Sequence, residues 1–212
     1  MAENVITPAF RSTFVALLRP SAGRAKEDGT PGELKYTLRA AFPPNADLTA
    51  LKAAAKQALV EKWGDKIPKV FRSPFRTYAE LDKEFEGIGQ DWTLITFSTK
   101  AKRKPGVVNG MIRDAEGRPT DILDEDEVYT GCWFKAVVRA SAYEMAGNKG
   151  VSFYLQHAMK IRDDKPLGNK GVSIYLQHAM NIRDDKPLGS TRIPAALAFE
   201  GALEEGERDP FS

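Results

Sequence analysis

The sequence predicts a mainly β fold of the sandwich or barrel type, with one α-helix and an acidic C-terminal tail. Three observations carry this. Five or six segments read as strands, the later ones alternating with a period of two, one segment has helical composition with caps, and long connections with Gly and Pro turns separate them. The 212 residues suit one domain, and 42% hydrophobic content is enough for a core. A single Cys excludes a disulfide framework and a Cys-based zinc site. No apolar run approaches the roughly 20 residues of a membrane span. The N-terminal MAENVITPAFRS lacks the basic-then-apolar layout of a signal peptide. The expectation is a soluble protein in a reducing, intracellular setting.

Ala9 to Leu18 reads as a first strand, ended by Arg19-Pro20, and Leu34 to Phe42 as a second, ended by Pro43-Pro44. Asp47 is a natural N-cap for a helix from Leu48 to Trp63, which Gly64 can terminate. Its apolar stripe of Leu48, Leu51, Ala55, Ala58 and Leu59 suits packing on a sheet. Asp65 to Gln90 is irregular. Trp92 to Thr99 reads as a third strand, Gly110 to Glu127 as loop, and Tyr129 to Tyr143 as a long strand.

A tandem repeat comes next. Residues 148–168 and 169–189 are near-identical 21-residue units, differing only at Phe153 versus Ile174 and Lys160 versus Asn181. Two copies do not make a solenoid. In each unit Val151, Phe153, Leu155, His157, Met159 and Ile161, or their equivalents, alternate with polar residues as in a half-buried strand, ending in a turn-like DDKPLG. The two strands either pair as a hairpin, or one fills a native slot and the other is peripheral. His157 and His178 are one repeat position seen twice, read as a strand histidine rather than a ligand pair.

The chemistry concentrates in Tyr129 to Tyr143. One face holds Cys132, Phe134, Ala136, Val138, Ala140 and Ala142, small or apolar residues fit for a core. The other interleaves Tyr129, Trp133 and Tyr143 with Lys135 and Arg139. Aromatic rings stack on unpaired bases and interleaved cations meet phosphates. From Trp92 to Arg113 there is no acidic residue; Trp92 and Phe97 precede Lys100, Lys102, Arg103 and Lys104. Such a cluster forms a track for a phosphate backbone. Lys35, Tyr36 and Arg39 repeat the pairing on the second strand. The acidic run around Asp124 to Glu127 reads as a solvated loop. With no phosphate-binding Gly loop, nucleophile elbow or metal motif, the sequence indicates neither an enzyme nor a metal or other cofactor.

Formal charge is +2 overall, which alone argues against a nucleic-acid binder. Residues 199–212 hold five acids and one base, a net of −4, which leaves +6 on residues 1–198. Residues 1–198 are therefore read as the domain and 199–212 as a tail. Glu204, Glu205, Glu207, Asp209 and Phe211 are the tail residues suited to a partner protein's basic, apolar patch.

These residues together resemble the bacteriophage single-stranded DNA-binding proteins. The likeness runs from Phe10 to Gly168. It rests on FRSTFVALLRP, the helix ending Lys62-Trp63-Gly64, Arg103-Lys104-Pro105-Gly106-Val107-Val108, Tyr129-x-Gly131-x-Trp133, and Gly150-Val151-Ser152-x-x-Leu155 leading to Pro166-Leu167-Gly168. The duplicated unit is additional to that pattern. The resemblance implies an OB-fold, a five-stranded partly open barrel with one helix, which here also carries the duplicated strand unit and the acidic tail. It implies sequence-independent single-stranded DNA binding in phage replication and recombination, in the cytoplasm of the infected host cell. Replication or recombination proteins would be recruited through the tail, with no membrane association, and self-assembly is an open expectation. Two other readings stand beside it: an RNA-binding OB module, because a stacking platform does not itself reject a 2′-OH, and a β-rich assembly protein that pairs through strand edges.

Overall fold

The computed structural model describes residues 3–167 except 24, 26–28, 79–84, 86 and 146. The second repeat unit and the acidic tail, with Glu204, Glu205, Glu207, Asp209 and Phe211, lie outside the described residues. The elements are β1 (Asn4–Ile6), β2 (Phe10–Ala22), β3 (Leu34–Phe42), α1 (Thr49–Trp63), β4 (Arg76–Thr77), β5 (Thr93–Lys100), β6 (Gly106–Arg113), β7 (Pro119–Asp121), β8 (Trp133–Met145) and β9 (Asn148–Arg162). The fold is mainly β with one α-helix among the described residues.

Five strands form a ring. β2 pairs with β3, β3 with β5, β5 with β9, β9 with β8, and β8 returns to β2. Every pairing in the ring is antiparallel except β5–β9, which is parallel. Two of the joints are short: Phe97–Phe153 and Ser98–Tyr154 join β5 to β9, and Phe10–Phe134 and Arg11–Trp133 join β8 to β2. The sheet is thus partly closed rather than a regular barrel. β6 runs parallel to the far half of β9, and β7 pairs with β6.

Alternation fills the interior. Phe10, Leu38, Ala40, Phe42, Ile95, Phe97, Phe134, Val138, Phe153 and Leu155 are fully or nearly fully buried in one cluster. The Phe10 ring lies 5.2 Å from that of Phe42 and 5.7 Å from that of Phe97. Phe153 meets Phe97 at 6.0 Å, edge to face. Such tilted contacts favour each quadrupole and add about 0.5–1.5 kcal/mol beyond burial. α1 covers one end of this core with Leu51, Ala54, Ala55, Ala58 and Leu59, matching the apolar stripe. The Asp47 carboxylate accepts a hydrogen bond from the Thr49 amide at 2.9 Å, and Gly64 ends the helix with φ +54°.

Three expectations are corrected. β2 does not stop at Pro20; a register shift between Ala16 and Ser21 absorbs the proline and pairing resumes at Ser21–Lys35. Gly110 to Glu127 is not simply loop. It contains the end of β6, a turn in which Asp114 accepts from the Glu116 and Arg118 amides, β7, and a single 3-10 turn at Glu125–Glu127. β6 escaped notice because Val107 and Val108 are both buried, which hides the alternation. The alternation of β9 is also broken. Val137 faces His157 while Val138 faces Leu155, so Gln156 is a bulge. Beyond it the faces exchange: Ala158 and Lys160 oppose the core residues Ala136 and Phe134, and His157 and Met159 turn to the outer face.

The first repeat unit takes the β9 slot. Both positions that distinguish it from the second unit have specific partners. Phe153 packs on Phe97 and, at 6.1 Å, on Phe75. Lys160 is buried; its ammonium donates to the Glu127 carbonyl at 2.8 Å, pairs with Asp163 at 2.9 Å and lies 5.9 Å over the Tyr129 ring.

Candidate functional site

The outer face of β8 and β9, opposite the core, carries the aromatic and cationic residues. Its cross-strand pairs run Lys135–Met159, Val137–His157, Arg139–Tyr154, Ser141–Ser152 and Tyr143–Gly150. β3 and β5 extend the face with Lys35–Lys100, Thr37–Ser98 and Arg39–Thr96. The parallel joint sets Tyr154 beside Ser98.

One end of this face is closed. Trp133 is only 4% exposed. Its ring meets Trp92 at 6.3 Å, the Arg162 guanidinium stands 4.5 Å from its centroid, and its indole N–H donates to Asp164 at 3.0 Å. Asp164 belongs to a strap, residues 163–167, sewn down by Arg11. The Arg11 guanidinium pairs with Asp164 at 3.5 Å and donates to the carbonyls of Lys165 at 3.0 Å and Gly87 at 3.3 Å. Gly131, with φ +110°, is required here because a Cβ would stand 2.4 Å from the Lys165 carbonyl oxygen. Tyr129 donates its hydroxyl to Asp163 at 2.9 Å, and burial, then this bond, push its pKa up. The Asp163 and Asp164 carboxyls are held low. Partial burial opposes this, but bonds from Lys160 and Tyr129 to Asp163, and from Trp133 and the Lys165 amide to Asp164, outweigh it, with help from nearby cations. The Tyr-x-Gly-x-Trp motif and the segment Asp163 to Leu167 after the repeat strand are thus a clasp.

The other end is open. β5 leaves β9 after Tyr154, and β6 takes up pairing at His157. The bulged Gln156 lies between, opposite the turn that joins β5 to β6. The result is a polar notch lined by Thr99, Arg103, Arg139, Tyr154 and Gln156. Tyr154 is 38% exposed. Lys102, Arg103 and Lys104 sit exposed on the turn, closed by the Arg103 amide donating to the Lys100 carbonyl at 2.8 Å. Arg39 shares the face with Arg76, which lies opposite Leu94; burial and then the Arg76 charge disfavour its protonated form, so an anion there is stabilised by two cations. Glu33 bridges Lys35 at 3.3 Å and Lys100 at 3.4 Å, so those two cations are partly neutralised.

The sequence-expected residues therefore divide. Lys35, Arg39, Lys100, Lys102, Arg103, Lys104, Lys135, Arg139 and Tyr143 lie on or beside the outer face. Phe97 is a correction: its ring is sealed in the core against Phe10, Phe42 and Phe153 and is closed to a base. Tyr36 shares the inward face of β3 with Leu38, is buried, and is closed in the same way. Trp133, Trp92 and Tyr129 belong to the clasp. Tyr154, Gln156 and Arg76 were missed. Tyr154 and Gln156 fall on the polar side of the repeat strand, but only the parallel joint and the bulge bring them to Arg139 and Arg103. Among the described residues no cluster of His, Cys, Asp and Glu could hold a metal ion, and no helix is long and apolar enough to cross a membrane.

Solved structures share this architecture. The single-stranded DNA-binding protein from bacteriophage Enc34 matches with a TM-score of 0.58 at 20% identity, over 80% of this chain and 87% of that one. The same protein in complex with single-stranded DNA matches at 0.58 and 21%, over 78% and 89%. The T7 phage single-stranded DNA-binding protein gp2.5 matches at 0.51 and 13%, over 86% and 99%. No curated protein sequence matches the chain. Residues 3–170 match the family described as the Enterobacter phage Enc34 ssDNA-binding protein. With that match spanning most of the sequence, on a fold whose ring of strands and outer face are those just described, the chain belongs to the phage Enc34 single-stranded DNA-binding protein family.

Proposed function

We propose that the chain binds single-stranded DNA across the open end of the outer face, without sequence preference, during phage replication and recombination in the host cytoplasm. The observation that supports this most is Tyr154, exposed between Arg139 and Arg103 in a notch the strand topology creates. A half-exposed ring beside two guanidinium groups offers a stacking surface and phosphate partners together. Lys102, Lys104, Arg39 and Arg76 extend the cationic field, and Tyr143 offers a second aromatic along the same row. Neutralising each phosphate on a single strand contributes about 0.7 to the slope of log affinity against log salt. Replacing Arg103 and Arg139 together by Ala should flatten that slope by about 1.4, read by fluorescence anisotropy of a labelled oligonucleotide over a salt series. An unchanged slope would remove both from the phosphate path. The tail, residues 199–212, serves to recruit partner proteins. Deleting residues 201–212 should leave DNA affinity unchanged or raised, and a marked loss would contradict that role.

A further inference from the structure

We propose that the segment from Lys66 to Arg76 continues the single-strand path off the barrel, with Phe71 stacking on a base and Lys69, Arg72 and Arg76 meeting phosphates. This rests on reading the outer face as the DNA site. The sequence from Lys66 to Tyr78 contains no acid and four cations, Lys66, Lys69, Arg72 and Arg76. Three of its apolar residues are turned outward: Val70 is 87% and Phe71 37% exposed, and Ile67 is exposed as well. A solvated connection gains nothing from an exposed ring and an exposed Val between cations, whereas a strand of bases and phosphates matches both. The segment is also fixed beside the site. The Arg72 amide donates to the Lys149 carbonyl at 2.8 Å, and the Val151 amide donates to the Arg72 carbonyl at 3.2 Å. A Cβ on Gly150 would meet the Tyr143 hydroxyl at 2.7 Å and the Arg72 carbonyl at 2.8 Å, so Arg72 adjoins the Tyr143 end of the outer face. Phe75 anchors the chain in the core against Phe153, and Arg76 then emerges opposite Leu94 in the neighbourhood of Arg39. From Arg76, beside Arg39, back to Lys66 the sequence thus carries cations and no acid. Charge complementarity and continuity favour nucleic acid over a protein occupant.

OB-type sites cover about 4–16 nucleotides, so oligothymidylates of about 6 and about 16 nucleotides separate the barrel from its extension. Phe71→Ala combined with Lys69→Glu should weaken binding of the longer oligomer about tenfold and leave the shorter one and the melting temperature unchanged. Val70→Glu provides an independent variant at the most exposed apolar position, with the same expectation. Equal loss at both lengths, or no loss at either, overturns the extension; in the second case the patch passes to a protein partner. If the unaltered chain binds neither oligomer, the reading of the outer face falls, and the extension with it.

Discussion

The two ends of the outer face are made of the same residue types and do opposite things. At the closed end Trp133, Arg11 and Arg162, with Tyr129 and the inward Lys160 beside them, are consumed by the carboxylates and carbonyls of the 163–167 strap. At the open end Tyr154, Arg103 and Arg139 face a notch. The difference lies in the chain that does or does not cover each residue. The strap begins where β9 ends and folds back over Trp133, while at Gln156 the ladder changes partner and leaves a gap. Aromatic–cation alternation therefore occurs on a sealed surface and on an open one, and exposure separates them.

The sharpest way to break this comparison is Trp133→Ala. Loss of a buried Trp costs about 3–5 kcal/mol of stability, read by chemical denaturation, while DNA affinity of the folded protein stays near that of the unaltered chain. A stable variant that had lost DNA binding would return Trp133 to the stacking set. The next largest effect tests the slot. Phe153→Ile with Lys160→Asn installs the residues of the second repeat unit; a smaller ring-less side chain and loss of the partners of Lys160 should cost about 2–3 kcal/mol. Unchanged stability would mean that the slot accepts either sequence equally.

Tyr154→Ala probes the open end. Affinity for single strands should fall by about 1–3 kcal/mol, and stability should move by less than about 0.5 kcal/mol. A reversed pattern would make Tyr154 a structural residue. Acid addresses the clasp. Asp163 and Asp164 are depressed in the folded state, so their contribution is fully present above the unfolded Asp value of about 3.9 and is lost as pH falls through the folded values. Asp163→Asn with Asp164→Asn should flatten the acid limb of stability against pH, whereas an identical limb would remove the clasp from acid denaturation. The smallest effect concerns Glu33, whose carboxyl is held low chiefly by its bond to Lys35. Glu33→Gln frees Lys35 and Lys100 and should strengthen DNA binding a fewfold at most, since exposed ion pairs are screened by water and weak; weaker binding would take both lysines off the path.

Much of the fold was legible because it depends on local chemistry. The bounds of β3 coincide with the expected strand, and the helix stripe from Leu48 to Leu59 is the buried one. The inward face of β8, Phe134 to Ala140, with Cys132 just before it, is buried as the alternation required. The site was legible only by type. Phe97 and Tyr36 looked like stacking residues because they neighbour cations in sequence, yet neighbours on a strand point to opposite faces. Phe97 in turn points inward, with Ile95, and not outward with Thr96. Tyr154 lay inside a repeat, where its partner was unknowable.

What the sequence settled by itself was the helix and the longer strands β2, β3, β5, β8 and β9, the burial of one face of β8, and the uneven charge, +6 over residues 1–198 and −4 over residues 199–212, all of which stem from periodicity and composition. Tertiary structure alone decided which aromatics are sealed and which are open. A β-strand fixes only the alternation of its own side chains. The covering of each face depends on which strand lies beside it, where a bulge such as Gln156 exchanges the faces, and where a strap returns over the sheet. Those are long-range pairings between residues as distant as Arg11 and Asp164, and no local pattern contains them.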